Sequence, residues 1–154
     1  MKLFLFLEEF FMNDDTIKLL KECSSGICMA RDAIDEILED VRDDDLKGIL
    51  QNSIKEHDAL KEDTENYLKA FHEEPEKPSV IAKGMAHLKS NVKLAADNSD
   101  ATVADLITDG CNMGIKSLHR YLNQYQAADK DIKKLTKQII DVESSLREQI
   151  CAYL

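Results

Sequence analysis

The sequence is poor in the two residues that interrupt helices, with five glycines and two prolines among 154 residues. The prolines, Pro75 and Pro78, lie together, so the rest of the chain lacks the residue that breaks helices most strongly. Strand-like alternation of apolar and polar residues is also missing outside residues 1–7. These absences exclude most β-sheet folds and predict a single all-α domain.

The chain also lacks a basic patch. Its formal net charge is −10 at pH 7, and its lysines and arginines are interspersed with acids rather than clustered. Such a surface repels the phosphate backbone of nucleic acids and anionic lipids alike. We therefore expect neither nucleic acid nor a membrane as a partner.

The four cysteines lack the spacing of a redox or zinc motif. Cys23, Cys28, Cys111 and Cys151 all fall within helical patterns, where a free cysteine behaves as a small buried apolar residue. We expect reduced, structural thiols in a cytoplasmic protein, and an extracellular disulfide framework is the minority alternative.

The first twelve residues, MKLFLFLEEFFM, imitate a signal peptide without completing one. Glu8 and Glu9 interrupt the apolar run after five residues, and no small-residue cleavage site follows. The run is also far too short to span a bilayer. We therefore treat 1–12 as an apolar N-terminal extension and 13–154 as the folded domain.

Met12, followed by NDDT, has the features of a natural beginning. Asp15 or Thr16 can cap a helix that starts immediately after it, because their side-chain oxygens accept hydrogen bonds from free backbone N–H groups. Two interpretations of the extension stay open: an ordered apolar arm, or an upstream stretch that the cell does not translate.

From Thr16 onward, apolar residues recur at intervals of three, four and seven, which is typical of helices with one buried face. This spacing predicts four long helices and a short one after the second, at 15–42, 44–73, 79–97, 101–127 and 130–153. Short connections make sequential helices antiparallel neighbours. The predicted architecture is an antiparallel four-helix bundle with an additional short crossover helix.

The apolar stripes also place a few polar residues inside the predicted bundle. His57 lies on the stripe of the second helix, while Glu56 belongs to its solvated flank. Arg31 falls on the stripe of the first helix, and Cys111 on that of the helix at 101–127. In the last helix the stripe passes through Val142, between two acids, Asp141 and Glu143.

This layout, with the stretches SIKEHDALKEDTENYL and DGCNMGIKSLHRYLNQY, resembles the ferritin-like four-helix bundles, most closely small bacterial families of that superfamily. The resemblance covers residues 16–154. It implies a di-metal site built from one Glu on each of two helices and a Glu-x-x-His pair on each of the other two.

The positions that would carry those ligands hold other residues. Ile54 stands three residues before His57, Arg31 supplies a cation where an anion is needed, and no histidine follows His119. The centre of the helix at 101–127, GCNMG, offers Asn112 and no carboxylate. The resemblance therefore implies the bundle without its metal chemistry, and we expect no cofactor and no stoichiometric transition metal.

No nucleophile–base pair, Gly-rich phosphate loop or GxSxG turn is visible, so we expect no catalytic residue. Two functions stay open. One is a non-enzymatic bundle that works by self-association or protein–protein contact, through LFLFL and FFM of the extension and through Tyr121, Tyr125 and Tyr153. The other is a metal- or ligand-binding bundle with a degenerate site around His57, for which Glu56 and Cys111 are only weak additional candidates.

Overall fold

The structure is a computed structural model, and it describes residues 1–78, 93, 94 and 96–154. It contains four long helices: α1 (Lys2–Ile37), α2 (Asp44–Ala70), α3 (Asp100–Gln124) and α4 (Lys130–Ile150). Two short 3-10 helices, Leu38–Asp40 and Cys151–Tyr153, follow α1 and α4. The described residues include no strand, which confirms the all-α prediction. The predicted short helix at 79–97 falls almost wholly outside them.

Each long helix packs against at least two others. α1 contacts α2, α3 and α4, and α4 also contacts α2 and α3. All four helices supply apolar side chains to two buried clusters, one containing Leu20, Leu68, Leu118 and Leu135. The other contains Ile34, Leu50, Val103 and Leu146. The protein therefore has a core shared by the four helices rather than separate pairs.

The start of α1 differs from the sequence-based expectation. The helix begins at Lys2, so the prediction that Asp15 or Thr16 caps its first turn was wrong. Both residues lie inside α1 and accept hydrogen bonds from the α3–α4 connection instead. Asp15 Oδ2 accepts from the backbone N–H of Ala127 at 2.9 Å, and Thr16 Oγ1 accepts from that of Asp129 at 2.8 Å. The connection covers α1 at this level, while residues 1–10 are exposed.

The other end of the core is closed by Asp100, at the start of α3. Its carboxylate accepts from the backbone N–H groups of Arg42 and Asp43, at 2.8 and 2.9 Å. Asp43 in turn caps α2 by accepting from the backbone N–H of Leu46 at 2.8 Å. The α1–α2 connection is thereby attached to α3. At both ends of the core, side-chain oxygens of a helix accept hydrogen bonds from the backbone N–H groups of a connection.

Candidate functional site

A buried histidine–glutamate pair lies between the two apolar clusters. His57 of α2 has none of its surface exposed, and Glu143 of α4 has 5%. His57 Nε2 is 2.7 Å from Glu143 Oε1, and His57 Nδ1 is 2.7 Å from the backbone oxygen of Ser53, one turn earlier in α2. The pair is therefore held at both nitrogens of the ring.

These contacts determine where the protons are. The carbonyl oxygen of Ser53 can only accept, so Nδ1 carries a hydrogen and donates it. Burial lowers the pKa of His57, but the hydrogen bond and negative charge of Glu143 raise it more, and the net pKa is above the ordinary value of 6.5. The geometry fits an imidazolium that donates from Nε2 to the Glu143 carboxylate, a charged pair with no net charge.

α3 approaches this pair at a glycine. A Cβ atom added at Gly114 would lie 3.7 Å from Glu143 Oε2, an ordinary van der Waals contact, so the backbone of α3 passes close to the carboxylate at this position. One turn earlier, burial raises the pKa of the Cys111 thiol well above its ordinary value, and the nearby Glu143 charge raises it further. Cys111 is consequently a neutral thiol beside the pair and not a reactive thiolate.

Among the residues singled out from the sequence, the structure brings two together. His57 is buried as predicted, and Cys111 lies near Glu143, the partner of His57. Glu56 is exposed. Val142 packs against one apolar cluster but is only half-buried, whereas the neighbouring Glu143, which was not predicted to be buried, takes the buried place in α4. Ile139 precedes Glu143 by one helical turn, so the spacing permitted either residue, and the usual preference for an apolar side chain selected Val142.

Two other polar residues lie at the edge of the bundle and not on its inner seam. Arg31 is half-buried, and its Nε donates to Asp58 Oδ1 at 3.0 Å. Asn112 is exposed and accepts from Arg147 at 2.9 Å. The expectation of a fixed positive charge on the seam of α1 was therefore incorrect, and the centre of the bundle contains the Glu143 carboxylate instead.

The donor set does not fit the di-metal site that a ferritin-like bundle implies. That site needs four carboxylates and two histidines on facing helices, whereas here one histidine and one carboxylate satisfy each other. Over the described part of the chain, no group of three or more His, Cys, Asp or Glu residues could hold a metal ion.

The second unusual feature is the surface of the extension. Its large apolar side chains are far more exposed than core residues, at 71% for Leu3, 64% for Phe4, 57% for Leu5, 64% for Phe6, 42% for Leu7 and 58% for Phe10. Contiguous apolar surface of this kind marks a contact region in most proteins. The start of α1 is therefore apolar and lies outside the core, whereas the later turns of α1 are part of the core.

The tyrosines that were expected to add to a contact surface are part of the packing instead. Tyr121 and Tyr125 stack with ring centroids 6.3 Å apart and pack against one apolar cluster, while Tyr153 packs against the other. All three are half-buried. The extension is consequently the better candidate for an interaction surface.

Comparison with known proteins does not place the chain in a family. No protein-family model matches it, and no solved structure matches it. It is similar to cytochrome P450 84A1 of Arabidopsis thaliana, with 25% identity over 114 residues that cover 73% of this chain and 21% of that protein. The chain thus spans about a fifth of the length of that curated relative. Within the described residues, no helix combines the length and the apolar character needed to cross a bilayer.

Proposed function

We propose that the protein is a non-enzymatic, ferritin-like helical bundle that works by association, with another copy of itself or with another protein, through residues 1–12. The observation that carries this proposal is the exposed apolar surface of an ordered helical extension. A cytoplasmic location forms part of the proposal, because the four cysteines, all within the described residues, are free.

The composition of the two apolar clusters supports an antiparallel, ferritin-like arrangement. One cluster combines the middle of α1 (Leu20) with the second halves of α2 and α3 (Leu68 and Leu118) and the first half of α4 (Leu135). The other combines the last turns of α1 (Ile34) with the first halves of α2 and α3 and the second half of α4. Helices that contribute opposite halves to the same cluster run in opposite directions, so α1 and α4 run against α2 and α3. Residues 71–99 separate the end of α2 from the start of α3, so the connection between the two helix pairs is a long one.

The physical reason for association is the cost of leaving the extension in water. Burying one Leu or Phe side chain contributes about 1.5–3 kcal/mol, and the first turns of α1 make few packing contacts of their own, since residues 1–10 are exposed. A surface that covers the extension would therefore stabilise both its helical form and the complex. Nothing in the buried His57–Glu143 pair offers a comparable route to function, because the pair is closed to solvent.

The proposal is tested by the solution mass of two chains, the full one and one that begins at Met12. We expect the full chain to form oligomers whose mass in light scattering rises with concentration, and the shortened chain to be monomeric. Equal masses for the two chains, both monomeric, would contradict self-association.

The alternative function is a metal- or ligand-binding bundle with a degenerate site around His57. The observation that favours it is Glu143, a carboxylate within hydrogen-bond distance of the His57 ring. Metal analysis of protein purified without a histidine tag separates the two functions. We expect no stoichiometric transition metal, and near-equimolar iron, manganese or zinc that is lost on His57→Ala would overturn that expectation.

A further inference from the structure

The buried His57–Glu143 pair lies at the boundary between the two apolar clusters of the core. Along α2, Leu50 and Leu68 belong to different clusters, and His57 lies between them. Along α4, Glu143 occupies the corresponding place. Of the buried residues that the structure describes, these two are the only ones that can carry a charge at neutral pH. The core therefore has apolar packing on both sides of one charged layer.

The buried residues of α2 and α4 recur at every seventh position. The series are Leu46, Ser53, Leu60 and Leu50, His57, Thr64 in α2, and Ile132, Ile139, Leu146 and Thr136, Glu143, Ile150 in α4. Seven residues are close to two helical turns. A helix that moves along its axis by that distance therefore places each buried residue where the next member of its series was.

For the apolar series, such a shift changes little. Ile139 would take the place of Leu146 or of Ile132, and these side chains have nearly the same volume. Exchanges between apolar residues of similar volume are tolerated well in protein cores. The apolar residues of α4 thus specify a buried face, but they do not distinguish one register along the bundle from the next.

The connections of the chain permit one helix pair to shift along the other. Residues 38–43 join α1 to α2, and residues 125–129 join α3 to α4, so the register within each pair is restricted by a short connection. Residues 71–99 join the two pairs. A connection of that length can extend by the roughly 10.5 Å that a shift of two turns requires.

The hydrogen bonds at the two ends of the core oppose such a shift only weakly. Asp15 and Asp100 bind their backbone partners at exposed positions, and Thr16 binds its partner at a half-buried one. Water can replace a protein partner at an exposed position, so the net contribution of such a bond is small. These contacts therefore leave the choice of register to the centre of the bundle.

The buried pair opposes a shift strongly. After a movement of seven residues, His57 would face Thr136 or Ile150. Glu143 would be buried at the place of one of these residues, without an imidazolium beside it. Breaking a buried charge pair typically disfavours a state by about a hundredfold or more. The pair thus distinguishes registers that the apolar residues do not.

We propose that the His57–Glu143 pair sets the register of the α1–α2 pair against the α3–α4 pair. The apolar series allow several packings of the two helix pairs, and the buried charges select one of them. A buried polar residue fixes the register of some coiled coils in the same way. This role goes beyond the proposed function and does not depend on it, because both residues belong to one chain.

The distance between two spin labels, one on each helix pair, reports the register. Gln51 of α2 and Lys137 of α4 are exposed and can be labelled as Gln51→Cys and Lys137→Cys. The labelled chain also carries Cys28→Ser and Cys151→Ser, because these two native thiols are not buried. Dilution with unlabelled protein confines the measured distance to one chain. Pulsed electron paramagnetic resonance should then give one narrow distance distribution.

The double variant His57→Leu with Glu143→Leu should remain helical and give a second distance, displaced by several ångströms. Roughly a tenth of the molecules or more should populate it, since a bias of about a hundredfold is removed. One distance, unchanged from that of the labelled parent chain, would overturn the proposal. A double variant that does not fold would also overturn it, because the proposal requires the apolar residues alone to form a bundle.

Thr64→Val is the matched control in the same buried series of α2. Thr64 is 1% exposed, and its hydroxyl donates to the backbone oxygen of Leu60 in its own helix at 2.7 Å. A contact within one helix does not report the position of another helix, so this variant should keep the single distance. If Thr64→Val shows the same second distance as the double variant, the register responds to any change in the core, and the proposal is wrong.

Discussion

The extension and the centre of the bundle reverse the usual distribution of polarity. The extension exposes Leu3, Phe4 and Phe6 to water, while the centre buries a charged His57–Glu143 pair among apolar clusters. A buried charge persists when its partner is also buried and both are hydrogen-bonded, so the pair is satisfied within the chain. The apolar side chains at 3–7 stay exposed among the residues that the structure describes. The buried pair thus finds its partners within the fold, whereas the apolar side chains of the extension stay in contact with water.

The largest effect is expected from breaking the buried pair. His57→Ala removes the partner of Glu143 and leaves a carboxylate that is 5% exposed without its imidazolium. Such a change should lower the free energy of unfolding by about 3–5 kcal/mol. Urea unfolding followed by circular dichroism measures it. Glu56→Ala is the control, because Glu56 is the exposed neighbour of His57 and its loss should cost less than about 0.5 kcal/mol.

A second variant separates charge from packing at the same place. Replacing both residues, as His57→Leu with Glu143→Leu, leaves no unpaired charge and should recover most of the lost stability. A double variant as unstable as His57→Ala would indicate that the shape of the pair matters more than its charges.

The pH dependence of stability should follow the raised pKa of His57. Because the folded-state pKa lies above the unfolded value of 6.5, the pair contributes fully below pH 6.5, and the contribution is lost as the pH rises through the folded pKa. Each unit of difference between the two pKa values corresponds to about 1.4 kcal/mol. Urea unfolding at several pH values from about 6 to 9 measures the decline.

Glu143→Gln provides the comparison for the pH series, because it removes the charge that raises the pKa of His57. The decline of stability above pH 6.5 should flatten in this variant. The same slope in both proteins would assign the pH dependence to other groups.

A smaller and opposite effect is expected at the glycines of α3. Gly114→Ala and Gly110→Ala each replace a helix-interior glycine and should stabilise the protein by up to about 1 kcal/mol. A Cβ at Gly110 meets no atom within 4 Å, whereas one at Gly114 comes to 3.7 Å from Glu143, an ordinary contact. Thermal unfolding compares the two. Stabilisation at Gly110 together with clear destabilisation at Gly114 would show that the carboxylate needs more room than this structure gives it.

The smallest effect on the fold is expected from removing the extension. A chain that begins at Met12 should unfold within about 0.5 kcal/mol of the full chain when both are diluted to monomers, because residues 1–10 are exposed. Urea unfolding at low protein concentration measures this difference. A loss above 2 kcal/mol would mean that the extension packs on its own bundle. The extension would then not differ from the buried pair in lacking partners within the chain.

The apolar spacing was sufficient to predict α2, α3 and α4 to within a few residues, and it placed His57 inside. It was insufficient at Glu143, because burial of that carboxylate depends on a histidine 86 positions away in the chain, and the local pattern favoured Val142. It was also insufficient at Asp15 and Thr16, which have the chemistry of a helix cap. Their hydrogen bonds go to Ala127 and Asp129, more than a hundred residues later. Both failures concern polar partners that only the tertiary fold brings together.

The continuity of α1 has a mechanical consequence. With 36 residues in one helix, α1 is a rod of about 54 Å, at 1.5 Å per residue. Asp15 and Thr16 clamp this rod where it leaves the core. Because the helix is unbroken on both sides of this clamp, the direction in which residues 1–10 leave the bundle is set by the core that holds α1.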